Sequence, residues 1–555
     1  MKTMKIKFSA IIFLLLLVIV SSCKKQFDDQ LNVTPRDRLT DASVWTDKGT
    51  ADVFLNDVYG QLPDGNNWYD PFDNWSDNSI CGYAWVLSRN IAQEASYTPS
   101  TVAYWGTLNL DWNTLYTDIR KTNVFIKNVT ASTLPEDFKT QRLAEAKFLR
   151  AYFYHWLWMA YGGVPIITEP LDVSTQGENI FKERGTFDET FALIISDLVA
   201  AANDLGTTND PGRATKGAAL TLKGWCELFA HKYTDAASTN KTIIETMGNG
   251  IIYDLFSNYG SLFLPEGNNN KEGIFYRQYI PRVLGGRNEG YNGTTFTKGG
   301  AETSWGGVNP TQELIDDYSM DNGLPITDPA SGFKPQKPYK NREERFYESI
   351  VYDGSFWYND TIFTRQGIGS PNEIDLSDKD DATQTGYYLR KGCNDKITLG
   401  SDNWDGASGG QNYYYFRYAE VLLNYAEAQN EAVGPDASVY DAVNKVRARV
   451  ALPPLSAGFS QTQMRTAIRR ERRVELAFEN KRWWDLIRWR TAETNLSLPE
   501  HGISIQVGPG GTLIYAPVPA VGGSRKFDAS KNYLFPIPQG AIDQNSKLVQ
   551  NPGYN

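Results

Sequence analysis

Residues 469–486 read RRERRVELAFENKRWWDL and lie in a longer stretch, Thr462 to Trp489, that has the apolar spacing of an amphipathic α-helix. On a continuous helix, Arg472, Glu475 and Glu479 would be spaced i, i+3 and i+7 and would form a ladder of opposite charges on one face. We expect this ladder to orient the helix against its neighbours, in preference to a ligand-binding role.

Three further stretches show helical periodicity: Trp112 to Tyr161, Phe187 to Glu245 and Tyr418 to Arg449. The first ends at Gly162-Gly163 with Pro165 behind it, and the last ends before Pro453-Pro454; both are helix stop signals. We assign five tryptophans on the apolar faces of these helices to the core: Trp112, Trp156, Trp225, Trp483 and Trp484.

Small residues where two helices would cross, followed by a short turn into the next helix, are typical of tetratricopeptide helix pairs. Ala218 and Ala219 precede such a turn at Lys232–Thr234, and Ala426 and Ala428 precede another at Gly434–Asp436. An unrelated helical hairpin is the alternative for either copy alone. Two copies predict a mainly α fold with tetratricopeptide-like helix pairs as its scaffold.

Two other stretches, about 60–105 and 248–412, are rich in Gly, Asn, Asp, Tyr and Trp and have weak periodicity. A structureless loop of that length is implausible in a compact domain, so we expect folded, loop-rich faces. Residues 41–555 are predicted to be a single body, with the helical scaffold mainly at 106–247 and 413–495.

The N-terminus has the pattern of a secretory signal peptide over residues 1–22. Lysines precede the ten apolar residues Ile11–Val20, which are too few to span a bilayer core of ~30 Å. Ser21-Ser22-Cys23 resembles a lipobox, which predicts a lipid on Cys23 and a tether over residues 23–40. Asp28-Asp29 resembles an export signal to the cell exterior, with a simple solvated tether as the alternative.

Composition excludes several classes of protein. The formal net charge of -10 argues against nucleic-acid binding. His155, His231 and His501 are scattered, and no zinc, phosphate-loop or nucleophile-elbow motif occurs, so we expect no metal and no cofactor. Carboxylates are plentiful, so a glycosidase pair stays open. The acidic run Asp375 to Asp381 lacks the spacing of a Ca²⁺ loop and is interpreted as a solvated loop.

Four motifs resemble the SusD/RagB family of nutrient-uptake lipoproteins and follow that family's order along the chain. They are AEAKFLRA at 144–151 with YGGVP at 161–165, FRYAEVLLNYAEA at 416–428, RRERRVELAFE at 469–479 with RWWDL at 482–486, and YLFPIP at 533–538 with QNPGY at 550–554. The resemblance implies a right-handed superhelix of four tetratricopeptide-like helix pairs. It also implies a non-enzymatic, outer-membrane protein that captures oligosaccharide and passes it to a SusC-like TonB-dependent transporter.

Two alternatives remain beside glycan capture. The first is a peptide-binding uptake lipoprotein of the same fold, and the second is a surface glycan hydrolase.

Aromatic residues make up 13% of the chain, more than a core requires, and several lie in the loop-rich stretches. A flat ring can cover the apolar face of a sugar, so we predict that most of five aromatics meet on one exposed binding surface. The alternative for each is ordinary packing. The five are Trp75, Trp85, Trp105, Tyr291 and Trp305.

Overall fold

A computed structural model describes residues 44–63, 71–86, 88–89, 95–101, 111–280, 297–298, 301–302, 306–377, 382–396 and 410–554. The predicted signal peptide, Cys23 and the tether lie outside these ranges. No helix in the described ranges combines the length and the apolar character that crossing a membrane requires.

The helices fall into two runs of long elements separated by short ones. They are α1 Lys48–Gly60, α2 Phe72–Trp75, α3 Trp112–Ala131, α4 Glu136–Tyr161, α5 Val173–Gln176, α6 Phe187–Asp204, α7 Lys216–Phe229, α8 Tyr233–Thr246, α9 Tyr259–Leu262, α10 Gln312–Asp317, α11 Glu344–Ser349, α12 Tyr418–Val433, α13 Ala437–Arg449, α14 Gln461–Glu475, α15 Arg482–Arg488, α16 Ala492–Asn495 and α17 Gln539–Gln544. Single 3₁₀ turns occupy Gly177–Ile180, Pro265–Gly267, Pro329–Ser331 and Pro509–Gly511.

The strands are short and form two-stranded antiparallel ribbons. They are β1 Ser79–Cys81, β2 Gly273–Arg277, β3 Thr297–Lys298, β4 Ala301–Glu302, β5 Val308–Pro310, β6 Ile350–Val351, β7 Ser355–Trp357, β8 Asp360–Ile362, β9 Tyr388–Leu389, β10 Tyr413–Arg417, β11 His501–Val507 and β12 Leu513–Pro519. The pairs are β1 with β5, β2 with β10, β3 with β4, β6 with β9, β7 with β8 and β11 with β12.

The long helices pack as neighbours in chain order. α3 packs on α4, α4 on α6, α6 on α7, α7 on α8, and α8 on α12, which also contacts α13 and α14. Their shared apolar faces form the main hydrophobic core. The predicted core tryptophans lie there: Trp112, Trp225, Trp483 and Trp484 are buried, and Trp156 is half-buried against the core.

Between Gly248 and Asn412 the described helices and strands are at most six residues long. This region has its own hydrophobic cluster, which includes Phe346 and Tyr388. Val474, Ala477 and Phe478, from the end of α14 and the residues behind it, belong to the same cluster. The end of α14 and the residues behind it therefore form one of the joins between the long helices and the loop-rich region.

The prediction of one continuous helix from Thr462 to Trp489 is wrong. α14 ends at Glu475 and α15 begins at Arg482. Phe478 and Asn480 take left-handed backbone angles with φ of 62°. Their backbone N–H groups donate to the carboxylate of Asp73 at 2.9 Å each, which replaces helical hydrogen bonds at the break.

The predicted orienting role of the charged residues in this segment is confirmed, although Glu479 lies beyond the helix. Arg417 donates to Glu475 at 2.6 Å, to Glu479 at 2.6 Å and to Glu272 at 2.7 Å. These contacts belong to a buried network of matched charge, in which no side chain is more than 10% exposed. Its members are Arg345, Lys391, Arg417, Arg447, Arg449, Glu272, Glu343, Glu471, Glu475 and Glu479.

Glu479 gives this network a dependence on pH. Burial would raise its pKa, but Arg417 and Lys391 lower the pKa from 4.5 to about 2. The carboxylate is therefore better stabilised in the folded than in the unfolded chain. That contribution is present above pH 4.5 and is lost as the pH falls towards 2.

We expect Glu479→Gln to lower the free energy of unfolding at pH 7 by about 3–5 kcal/mol, because it leaves buried positive charge without its partner. The gap in melting temperature between this variant and the native protein should narrow from pH 5 to pH 3, as measured by calorimetry. Glu136→Gln, at a side chain that is 82% exposed, is the control and should track the native protein. A difference in melting temperature that stays constant with pH would contradict the lowered pKa of Glu479.

Candidate functional site

The segment that carries Trp75 and Trp85 is fixed by two buried aspartates. Asp73 accepts the backbone hydrogen bonds of the α14–α15 break. Asp77 accepts from Arg482 at 2.7 and 2.9 Å, and Arg473 donates to its main-chain oxygen at 2.7 Å. Burial would raise the pKa of Asp77, but the two guanidinium groups hold that pKa well below its usual range. The charged motif of the helical scaffold thus sets the position of the first loop-rich stretch.

The β1–β5 ribbon joins the first loop-rich stretch to the second. Ile80 pairs with Asn309 and Cys81 with Val308. Beyond the strands, the N–H of Gly82 donates to the oxygen of Gly307 at 3.2 Å. A Cβ atom on Gly82 would lie 2.2 Å from the carbonyl oxygen of Gly306, so this close approach requires glycine.

A buried polar cluster locks a third segment to this ribbon. Arg89 donates to the oxygen of Cys81 at 3.0 Å and to Oε1 of Gln384 at 2.6 Å. The N–H of Gln384 donates to Oδ1 of Asn309 at 2.6 Å. Three chain segments far apart in sequence therefore form one rigid base behind residues 82–86.

Trp85 lies on this base as an exposed aromatic. Its side chain is 60% exposed, whereas Tyr83 is 4% exposed. The two rings stack with centroids 5.7 Å apart and planes 20° apart. The buried tyrosine supports one face of the indole, so Trp85 offers a flat apolar surface to a ligand.

Trp75 does not belong to this surface, and the prediction that it is exposed is wrong. It is 6% exposed and makes edge contacts with Trp483 at 5.9 Å and with Phe72 at 6.0 Å. The prediction assumed that polar backbone on a loop resists burial. Arg525 removes that obstacle, because its guanidinium donates to the oxygens of Trp75 at 2.9 Å and Asn74 at 3.2 Å.

Trp105, Tyr291 and Trp305 lie outside the described residues, so their place in the site stays a prediction. Trp305 directly precedes Gly306 in the sequence, and Gly306 contacts the segment that leads to Trp85. The ribbon thus brings together the two chain regions from which stacking aromatics were predicted.

Sequence reasoning missed Tyr83 and the Arg89–Gln384 pair. Tyr83 and Trp85 meet across a turn, in which the N–H of Val86 donates to the oxygen of Tyr83 at 3.5 Å, so no strand or helix periodicity in the sequence could have paired them. Nothing in the sequence connects Arg89 with Gln384, since nearly 300 residues separate them. Within the described ranges, no group of His, Cys, Asp or Glu side chains is arranged to hold a metal ion.

Two family models match this chain. The model described as the SusD family matches residues 271–554, and one described as starch-binding associating with outer membrane matches residues 51–223. The starch-binding protein SusD of Bacteroides thetaiotaomicron is 24% identical over 524 residues, which cover 85% of this chain and 83% of that protein.

Solved structures show the same architecture. A SusD-like protein from Bacteroides fragilis is 30% identical with a TM-score of 0.78, over 94% of this chain and 100% of that one. A SusD-like carbohydrate-binding protein from the same species is 26% identical with a TM-score of 0.77, over 91% of this chain and 100% of that one. The predicted mainly helical, tetratricopeptide-like fold is confirmed.

The different environments of Trp75 and Trp85 predict different effects of substitution. Trp75→Ala should lower the free energy of unfolding by about 3–5 kcal/mol, because it opens a cavity in the core. Trp85→Ala should change it by only about 0.5 kcal/mol, because most of the ring is in solvent. Thermal unfolding of both variants checks this. A Trp85→Ala protein that melts as early as Trp75→Ala would show that Trp85 is a packing residue.

Proposed function

Because the chain belongs to the SusD family, we propose that it captures a glycan on the surface around Trp85. The observation that carries this proposal is the exposed indole of Trp85, stacked on the buried ring of Tyr83 where the two loop-rich stretches meet. Trp105, Tyr291 and Trp305 are proposed as further members of the same surface.

Stacking suits a glycan because a pyranose ring has an apolar face of C–H groups. At ~25 cal/mol per Å² of buried apolar surface, one stacked ring contributes on the order of 1 kcal/mol. Several rings in line would reach micromolar affinity without any chemical step. The base of Arg89, Gln384 and Asn309 is already hydrogen-bonded, so little ordering entropy opposes binding.

We also propose where the protein is anchored and where its bound glycan goes. A lipid on Cys23 would hold the protein on the outer membrane, facing the cell exterior. Because a single acyl chain binds a bilayer only marginally, a stable anchor requires more than one chain. From there the bound glycan would pass to a SusC-like TonB-dependent transporter, and the protein itself would catalyse no reaction. This part is supported by the lipobox and by family membership.

We expect Trp85→Ala to weaken glycan binding about tenfold, equivalent to about 1–2 kcal/mol, while the melting temperature stays close to that of the native protein. A panel of soluble polysaccharides in affinity electrophoresis would identify a ligand, and titration calorimetry would give the dissociation constants.

Phe356→Ala is the matched control for this experiment, because Phe356 is 65% exposed and lies on the separate β7–β8 ribbon. It should bind like the native protein. If the native protein, Trp85→Ala and Phe356→Ala all bound equally well, the ligand would bind away from Trp85. Binding of a peptide library with no binding of polysaccharide would favour the peptide-uptake alternative, and shortened products would favour a hydrolase.

Cys23→Ala should leave the protein without its lipid, because the acylated thiol is gone. Metabolic labelling with a fatty-acid analogue should mark the native protein and not the variant, and the variant should leave the membrane fraction. Cys226→Ala removes a thiol buried in the core and should stay labelled. Label on Cys23→Ala would contradict the anchor.

A further inference from the structure

A cleft lies between α1, the loop before α7, and the strands β2 and β10. Its volume is about 270 Å³. This is just below the range of ~300–1,000 Å³ typical of pockets for drug-sized ligands, so the cleft itself has room for about one sugar ring. The elements that form it differ from those that hold Trp85. Its walls combine aromatic and hydrogen-bonding side chains, among them Tyr59, Asn56, Asp210, Arg213 and Arg277.

One side of the cleft is rigid before any ligand arrives. Arg213 donates to the fully buried carboxylate of Glu145 at 2.7 Å and to Oδ1 of Asn56 at 2.5 Å. The hydroxyl of Tyr59 donates to the same carboxylate at 2.7 Å and accepts from the N–H of Ala214 at 3.0 Å. Glu145 and Asp52 together balance the charges of Arg213 and Arg142, so this wall offers shape and aromatic surface more than charge.

Arg277, at the end of β2, supplies hydrogen-bond donors to the cleft. Its Nη1 atom donates to the main-chain oxygens of Leu62 at 2.8 Å and Gly60 at 3.2 Å, which fixes the guanidinium group. Within the described part of the chain, no carboxylate lies within ion-pair distance of Arg277, and its Nε and Nη2 atoms have no hydrogen-bond acceptor. The half-buried guanidinium therefore keeps donors available for a ligand.

Asp210 supplies hydrogen-bond acceptors. Its main-chain oxygen accepts from the N–H of Arg213 at 2.9 Å, in a turn where Gly212 takes a φ of 85°. The carboxylate of Asp210 is exposed and has no hydrogen-bond or ion-pair partner among the residues that the structure describes. The cleft thus has a donor-only group and an acceptor-only group.

A sugar hydroxyl is both a donor and an acceptor, so neighbouring hydroxyls can accept from a guanidinium and donate to a carboxylate. The single charges of Arg277 and Asp210 balance each other, so a neutral sugar suits the cleft, whereas the carboxylate of an acidic sugar would also face Asp210 and the net charge of -10. We infer that this cleft binds one neutral pyranose ring through vicinal hydroxyls, as a second carbohydrate site in addition to the surface around Trp85. The inference rests on the proposed function in that the ligand is a glycan.

Saturation-transfer NMR with the full-length protein tests this site. The probes are the methyl pyranosides of glucose, galactose, mannose and xylose, with methyl glucuronide as the acidic comparison. At least one neutral probe should bind. Asp210→Asn should weaken that binding about tenfold or more, because it removes a charged hydrogen-bond acceptor from an exposed position that supports no other contact. Arg277→Gln should weaken it similarly.

Two proteins serve as controls. Arg120→Gln alters an exposed arginine that also donates to a main-chain oxygen, and it should bind like the native protein. Trp85→Ala should also retain the monosaccharide while it weakens polysaccharide binding.

Three results would overturn the inference: no neutral pyranoside binds, the glucuronide binds in preference to them, or Asp210→Asn binds as the native protein does. In each of these cases, the proposed function would still hold if the native protein bound polysaccharide and Trp85→Ala bound it more weakly. If Trp85→Ala bound polysaccharide as well as the native protein does, while the neutral pyranoside still bound, only the proposed function would be overturned.

Discussion

The guanidinium group of Arg417 is buried, and carboxylates from two other parts of the chain surround it. Glu272 precedes β2, Glu475 ends α14, and Glu479 lies in the break behind that helix. Burying Arg417 without one of these partners would destabilise the folded protein by several kcal/mol. The folded structure therefore requires all three parts of the chain to be in place. Because Arg417 directly precedes α12, this requirement fixes the loop-rich region against the helical scaffold.

The segment around the break between α14 and α15 extends this constraint to the proposed binding surface around Trp85. Its broken helix presents backbone N–H groups to Asp73, and Arg473 and Arg482 hold Asp77. Those aspartates flank Trp75 and precede β1, which carries the chain towards Trp85. The position of the exposed indole therefore depends on these buried ion pairs. In this way a loop can hold a ring rigidly enough for the stacking that we propose.

The two proposed sites use different physical interactions. The surface around Trp85 relies on apolar contact, which tolerates different sugars. The cleft between Asp210 and Arg277 relies on hydrogen bonds, which depend on the positions of individual hydroxyls. A polysaccharide repeats its units, so two weak sites on one protein raise the apparent affinity wherever the chain can span both. General capture and selection of a particular sugar would then lie on separate parts of one molecule.

Local patterns in the sequence were enough to predict the helical scaffold, its stop at Gly162 and the buried tryptophans, because periodicity and helix ends depend on residues close together in the chain. The orienting role of Glu475 also followed from its place on α14, whereas Glu479 reaches Arg417 from beyond the end of that helix. The break after Glu475, the burial of Trp75 and the Arg89–Gln384 base did not follow from local patterns. Each depends on a partner 295 to about 450 residues away, such as Asp73, Arg525 or Gln384. Only tertiary structure decides whether a loop tryptophan is covered or exposed, because burial depends on which distant groups satisfy the backbone around it.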